Sequence, residues 1–391
     1  MRLSSVVDQE IRDLIQKNGR ITFAQFMQVC LYSPRGGFYS SRGNRISSHF
    51  GTSPTSHPVF GALIARQLEQ MWHVLGEPPV FHVIEVGSGD GALARSIVDA
   101  CWRMPSPFAQ ALNYVATDYQ PCWLQSPDQT PGWDFGTEAI MGPKKEDTIL
   151  GIQRVKAEGL GPFQNVVGCI LCNELIDNFP VHRFAFQDGR VKEVFVTVEG
   201  GNLTEVLDEP STPRIEKRLA SLGLSLPEGY RGEVNLAMED WTGQVARTLD
   251  RGFVLTIDYG QLATDLYSPQ NTQGTLVCYN RHVVSGDPYQ DIGEQDITAQ
   301  VDFTSLMQMG ERHGLTTVGY ALQSQFLTNL GFSSFLDALQ TQDLSAARME
   351  LARMAMMSLV DPDEYGDFKV LAQAKGIGLG AELTGFENRE P

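Results

Sequence analysis

The residues best suited to chemistry stand at Glu85-x-Gly87-x-Gly89-x-Gly91, where an acid and three alternating glycines follow the apolar run Phe81-His82-Val83-Ile84. The pattern predicts a strand that ends at a glycine turn and opens into an amphipathic helix over Ala92–Ala100. Such a turn lets a ligand approach the backbone closely. A second acid, Asp118, ends the next apolar run, Tyr114-Val115-Ala116-Thr117, after a helix-sized gap. A third acidic set, Asn173-Glu174 with Asp177, closes the unbroken apolar run Val166 to Leu171.

Gly87-x-Gly89-x-x-Ala92 also satisfies the dinucleotide fingerprint, in which glycines admit a pyrophosphate to a helix N-terminus. Glu85 argues for a different ligand, because a carboxylate there repels pyrophosphate and attracts a cationic amino-acid moiety. S-adenosylmethionine carries that cation and no phosphate. Glu85, Gly87, Ser88, Gly89 and Gly91 are therefore expected to hold it, with Asp118 accepting hydrogen bonds from ribose hydroxyls, a role either cofactor permits. A glycine turn without a ligand is the alternative.

These residues need a scaffold that brings strand ends together. Buried apolar strands each ending in a polar or acidic residue, at Glu85, Asp118, Asn173-Glu174 and Asp258, predict a doubly wound α/β sheet covered by helices. Ligands in such sheets lie beyond the carboxyl ends of the strands, at the switch point of strand order. The crevice is expected where the first and fourth buried strands part. A final strand pair, Leu315–Tyr320 and Phe368–Ala372, is expected to form an antiparallel edge.

Ahead of this core, residues 1–76 are expected to form an N-terminal helical and lid region. Val7, Ile11, Leu14 and Ile15 share one helix face that Gly19 can close, and Thr22-x-x-Gln25 has the spacing of a capping box. Loops rich in Gly, Ser, Pro and Tyr between Leu31 and Thr55 suit a lid. Residues 77–391 form the expected catalytic core, with insertions at about 181–232 and 261–300. The first insertion opens with a predicted hairpin turning at Asp188-Gly189.

The 391 residues, 42% hydrophobic, can bury a large core. A formal charge of -17 and a pI near 4.8 argue against general attraction to nucleic acid or anionic membrane, and favour a basic peptide or protein region as partner. No run of about eighteen apolar residues exists, so no membrane insertion is expected. The six cysteines are scattered, and the one close pair, Cys169-x-x-Cys172, sits in a predicted buried strand without a second pair at zinc spacing. A reducing, cytoplasmic setting is expected.

Longer blocks carry a family resemblance. They are Phe23-x-x-Phe26-Met27, Leu31-Tyr32-Ser33-Pro34-x-x-Gly37-Phe38-Tyr39, Thr52-Ser53-Pro54 with Phe60-Gly61, and the Glu85 loop. Further on stand Asn173-Glu174-Leu175-x-Asp177-x-x-Pro180-Val181-His182-Arg183-Phe184, Ile257-Asp258-Tyr259-Gly260, Gly274-Thr275-Leu276, Asp296-Ile297-Thr298-x-x-Val301-Asp302-Phe303, and Phe368-Lys369-Val370-Leu371. In this order they resemble the MidA family of class I S-adenosylmethionine-dependent methyltransferases, whose mitochondrial members assist assembly of respiratory complex I by methylating an arginine of a core subunit.

The resemblance implies a protein arginine methyltransferase acting on a complex I subunit. It adds Thr52, Ser53, Pro54 and Asn173 to the cofactor set and Asp296 to the acceptor site; Tyr32, Tyr39 and Tyr259 are expected to touch the acceptor, with packing around a satisfied hydroxyl as the alternative. The sequence departs from the family at Ser48-His49 and Thr55 around the Thr52 block, at Gln300 where His is usual, and at Asp118 where Glu is commoner. A small-molecule O- or N-methyltransferase and a non-catalytic assembly factor are the alternatives.

Arginine is a poor nucleophile because its charge is delocalised and its pKa exceeds about 12. A carboxylate that grips two of its N–H groups localises that charge, and a second acid can take the proton released. Glu174, Asp177 and Asp258 are the catalytic candidates, with a helix N-cap as the alternative for Asp177. His182 is assigned no role.

Overall fold

The computed structural model describes residues 5–41, 51–119, 151–157, 159–280, 283–378 and 382–387. The chain divides into two compact units. The core unit holds Gly51–Leu175, Thr242–Tyr259 and Gly310–Pro391; the insertion unit holds Met1–Phe50, Ile176–Trp241 and Gly260–Met309.

Apolar runs buried on both faces become the seven strands of the core unit. In chain order these are β1 (Phe81–Val86), β2 (Leu112–Asp118), β3 (Ile152–Lys156), β4 (Val166–Asn173), β5 (Leu249–Asp258), β6 (Thr316–Leu322) and β7 (Lys369–Lys375). Their order across the sheet is β6-β7-β5-β4-β1-β2-β3. Strands β1 to β5 are mutually parallel, and β7 runs antiparallel to both β5 and β6.

One expectation changes here. The first buried strand parts from the third, β4, and the fourth, β5, lies beyond it; the switch point is therefore between β1 and β4. The final pair, β6 and β7, does form the antiparallel edge, with β7 the reversed strand one position inside β6. Strand order is a long-range property that local pattern does not encode.

Helices α1 (Val59–Val74) and α2 (Ala92–Arg103) cover one face of the sheet. Phe60, Leu63 and Ile64 of α1 and Leu93 and Ile97 of α2 join Val83, Leu171 and Leu255 in one buried cluster. Each such side chain contributes about 1.5–3 kcal/mol by burial. That apolar face ties α1 to the sheet, so the boundary expected at residue 76 falls inside the core unit.

The insertion unit is built from the first two helices and both insertions. Val6–Asn18 ends at Gly19, whose φ is 80°. Phe23–Tyr32 begins with the expected capping box: the Gln25 amide donates to Thr22 Oγ1 at 3.1 Å, and the Thr22 amide to Gln25 Oε1 at 3.0 Å. Strands His182–Gln187 and Arg190–Glu199 form the expected hairpin, with Asp188 and Gly189 at φ of 53° and 70°. Ile21–Thr22, Asn202–Asp208 and Arg231–Val234 complete its sheet. Ile11, Phe26, Leu31, Val181, Val196 and Ile297 form its main core.

Candidate active site

The loop that follows β1 turns through Gly87, Gly89 and Gly91 at φ of 78°, 53° and 74°, a region open to glycine at little cost. Its amides face the end of the neighbouring strand. Those of Gly87 and Ser88 donate to the Thr117 carbonyl at 3.0 and 2.9 Å, and that of Gly89 donates to Asp118 Oδ2 at 2.9 Å. The acid that ends β2 therefore fixes the loop that ends β1.

The first amide of α2 is already occupied: Asp90 Oδ1 accepts from Ala92 N at 2.9 Å. A pyrophosphate would have to displace that carboxylate. Behind the loop, Glu85 is buried and accepts the Tyr114 hydroxyl at 2.9 Å. Burial pushes its carboxyl up to about 8, with the nearby Asp118 and Asp90 adding to the rise and the Tyr114 hydrogen bond opposing it. Acids around one glycine loop favour a cationic ligand, whose charge draws the raised Glu85 carboxyl back toward its ionised form.

The residues present fit S-adenosylmethionine. A Cβ on Gly89 would meet nothing within 4 Å, so the backbone is open there. Ser88 Oγ and Thr117 Oγ1 are buried without a hydrogen-bond partner among the described residues. Buried hydroxyls left unmatched mark a place for a ligand or water.

Beyond the switch point, Glu174 sits at the end of β4 with φ of 49°, its amide donating to the Ile257 carbonyl at 2.9 Å. Its Oε1 accepts Asn173 Nδ2 at 3.0 Å. Asp258, expected among the catalytic acids, is fully buried; its Oδ2 accepts the Leu175 amide at 3.2 Å and its Oδ1 the Tyr259 amide at 2.9 Å. A carboxylate bound in this way holds the turn after Glu174, the neighbouring catalytic candidate. The Tyr259 ring packs 5.5 Å from Phe368.

Thr52, Ser53 and Pro54 also lie in the core unit, at a four-residue helix, Ser53–Ser56. Ser53 is fully buried and its hydroxyl meets the Gln323 side chain, which also donates to the Leu359 carbonyl at 2.9 Å. This segment is anchored through Ser53, and residues 42–50 of the expected lid, with the departures at Ser48 and His49, lie outside the described residues.

The insertion unit gathers the other candidates. Tyr39 donates to Asp296 Oδ2 at 2.9 Å, and Asn178 Nδ2 donates to Asp296 Oδ1 at 3.0 Å. Tyr32 stacks on Tyr39 at 5.6 Å and donates to the Asn178 carbonyl at 3.1 Å. Asp177 and Asp296 are both buried; burial first, and the Asp177 charge second, push the Asp296 carboxyl up to about 8. Asp177 lies in a turn and caps no helix.

Sequence reasoning missed Tyr114 and Asn178. Tyr114 was the polar-tipped member of an apolar strand next to Glu85, a readable signal; Asn178 carried none.

A parallel sheet with one reversed strand, and an acid-ringed glycine loop at its switch point, defines a class I S-adenosylmethionine-dependent methyltransferase. A family model for S-adenosyl-L-methionine-dependent methyltransferases matches residues 63–321. The chain belongs to that family, the MidA family. It is 27% identical to the Drosophila melanogaster mitochondrial protein arginine methyltransferase NDUFAF7 homolog, over 97% of this chain and 86% of that protein. It is 24% identical to mitochondrial protein arginine methyltransferase NDUFAF7 of Danio rerio, over 95% of this chain and 89% of that one. A crystal structure of a protein from Burkholderia thailandensis bound to S-adenosyl-homocysteine superposes with a TM-score of 0.81 at 28% identity, covering 98% of this chain and 95% of that chain. No helix among the described residues is long and apolar enough to cross a membrane.

Proposed function

We propose that this S-adenosylmethionine-dependent methyltransferase is a protein arginine N-methyltransferase whose substrate is a subunit of respiratory complex I, methylated during assembly. The buried carboxyl pair Asp177 and Asp296, with Tyr39 and Asn178 as its hydrogen-bond donors, is the observation that carries the reading. The printed names of the relatives, which match nearly the whole chain, support it.

When bound, S-adenosylmethionine supplies a methyl group on a sulfonium. In the proposed site, Gly87 to Gly91 give close backbone approach, Ser88 offers its hydroxyl, and Asp118 accepts from the ribose. Glu85 lowers the local potential for the cationic amino-acid end, and Asn173, Thr52 and Pro54 complete the cofactor set. Ser53 serves by anchoring its helix.

Two buried acids of the same charge resist ionising together, so the Asp177 and Asp296 pair retains a proton near neutrality. An arriving guanidinium reverses that preference, because a cation stabilises the second negative charge. A carboxylate bound to two guanidinium N–H groups draws the positive charge onto the nitrogens it grips and leaves the remaining nitrogen with its lone pair free to attack. Glu174 and Asp177 keep these two roles, grip and proton acceptance, and Tyr32, Tyr39 and Tyr259 shape the acceptor's surroundings. The described cysteines are buried free thiols, which suits a reducing compartment, and we place the chain in the cytoplasm.

Incubation with methyl-labelled S-adenosylmethionine and the purified client subunit, followed by peptide mass spectrometry, tests the reading. Label on an arginine side chain is expected; a client labelled elsewhere, or not at all, contradicts it.

A further inference from the structure

The insertion unit carries a groove of about 670 Å³, lined by the first two helices on one side and by residues around His182 and Leu236 on the other. Leu14, Val29 and Leu236 give it apolar walls, and Gln28 and Asp240 are exposed along it. Its lining at Pro180 and His182 continues directly from the Asp177-Asn178 turn. Whatever lies in the groove is led along the chain segment that bears the proposed acceptor acids.

The polar floor is built. Glu193 is fully buried and takes the His182 Nδ1 hydrogen bond at 2.7 Å, together with the Ser211 amide. Burial alone would raise the Glu193 carboxyl; the hydrogen bonds from His182 and Ser211 outweigh it and hold the carboxyl below its ordinary value. The Glu193 carboxylate fixes the orientation of the His182 ring through Nδ1. The hairpin turn at Asp188-Gly189 sets Phe184 opposite Glu193 and His182 diagonal to it.

The charge balance of the groove is negative. Asp240 lines it, its one arginine, Arg214, is held by Glu239 at 2.9 Å, and the Glu193 carboxylate lies buried behind His182 and Ser211. Apolar walls and negative charge together select a particular occupant.

We propose that this groove holds an extended, basic polypeptide segment of the methyl acceptor, the stretch that flanks the methylated side chain. The inference rests on the protein-substrate reading above. Remote contacts of this kind supply binding energy that positions a reacting group, and a small-molecule acceptor would have no use for them.

Fluorescence anisotropy of the full chain with a short fluorescein-labelled peptide, rich in lysine with interspersed leucine, tests the groove. Its glutamate-for-lysine counterpart is the control. The basic peptide is expected to bind and the acidic one not to. Asp240→Lys and Gln28→Trp, both at exposed positions, are each expected to weaken binding by about tenfold or more, with S-adenosylhomocysteine titrations unchanged. Equal binding of both peptides, undiminished binding by both variants, or no binding of the basic peptide overturns the proposal. The two readings fail separately. Variants that methylate the client arginine at wild-type KM refute the groove alone; a wild-type chain that leaves no label on arginine refutes the substrate reading, and the peptide titration still decides the groove.

Discussion

The Gly89 amide donates to Asp118 Oδ2 at 2.9 Å, so one carboxylate both shapes the glycine loop and stands at its mouth. A charge-assisted bond of this kind contributes about 1.5–3 kcal/mol. Asp118→Ala is expected to weaken S-adenosylmethionine by about tenfold or more in calorimetric titration, at that energy scale. Unchanged affinity would remove Asp118 from the cofactor set.

Two glycines separate binding from folding. At Gly89, with φ of 53°, a Cβ enters open space; Gly89→Ala is expected to cost about 1–2 kcal/mol of stability and to impair cofactor binding. At Gly168, in mid-sheet with φ of 150°, a Cβ would lie 2.0 Å from the His82 carbonyl oxygen. Gly168→Ala is expected to lower the thermal midpoint far more, and the two variants compared by calorimetry check this.

Asp258 holds two backbone amides, and removing it leaves both without their acceptor. Asp258→Ala is expected to lose about 1–3 kcal/mol in chemical denaturation, with Asp258→Asn recovering part of it. Turnover should fall with Glu174 displaced while cofactor affinity persists. Wild-type stability combined with a shifted pH–rate profile would assign Asp258 the proton-taking role.

The Asp296 carboxyl sits at about 8 in the folded chain, against about 4 when unfolded. A raised folded value means a stabilising contribution that is full below the unfolded pKa and is lost as pH rises through the folded one. Compared with Asp296→Asn, the wild type is expected to lose thermal midpoint steadily from about pH 4 to about pH 8. A gap between the two proteins that stays constant with pH would show that Asp296 titrates as an ordinary carboxyl.

Much of this was readable in the sequence where one local rule decided the outcome. Thr22 and Gln25 gave a cap, Asp188-Gly189 a turn, and Glu85 to Gly91 a strand, loop and helix. Strand β3 was not read, because Gln153, Arg154 and Lys156 break its apolar run and it follows a long stretch without periodicity. Asn202–Asp208 is half-exposed and polar, so only pairing with the Arg190–Glu199 strand makes it β. The position of β7 and the grouping of residues 1–50 with the two insertions depend on contacts between distant segments. Asp258 showed the same limit at the site: its type suggested chemistry, and only its neighbours revealed that it holds a turn.

Titration calorimetry of S-adenosylmethionine into the wild-type chain and into Gly89→Val tests the cofactor site most directly. Saturable binding by the wild type, displaced by S-adenosylhomocysteine and abolished in a folded Gly89→Val chain, is the expected result. Equal binding by both chains would contradict it.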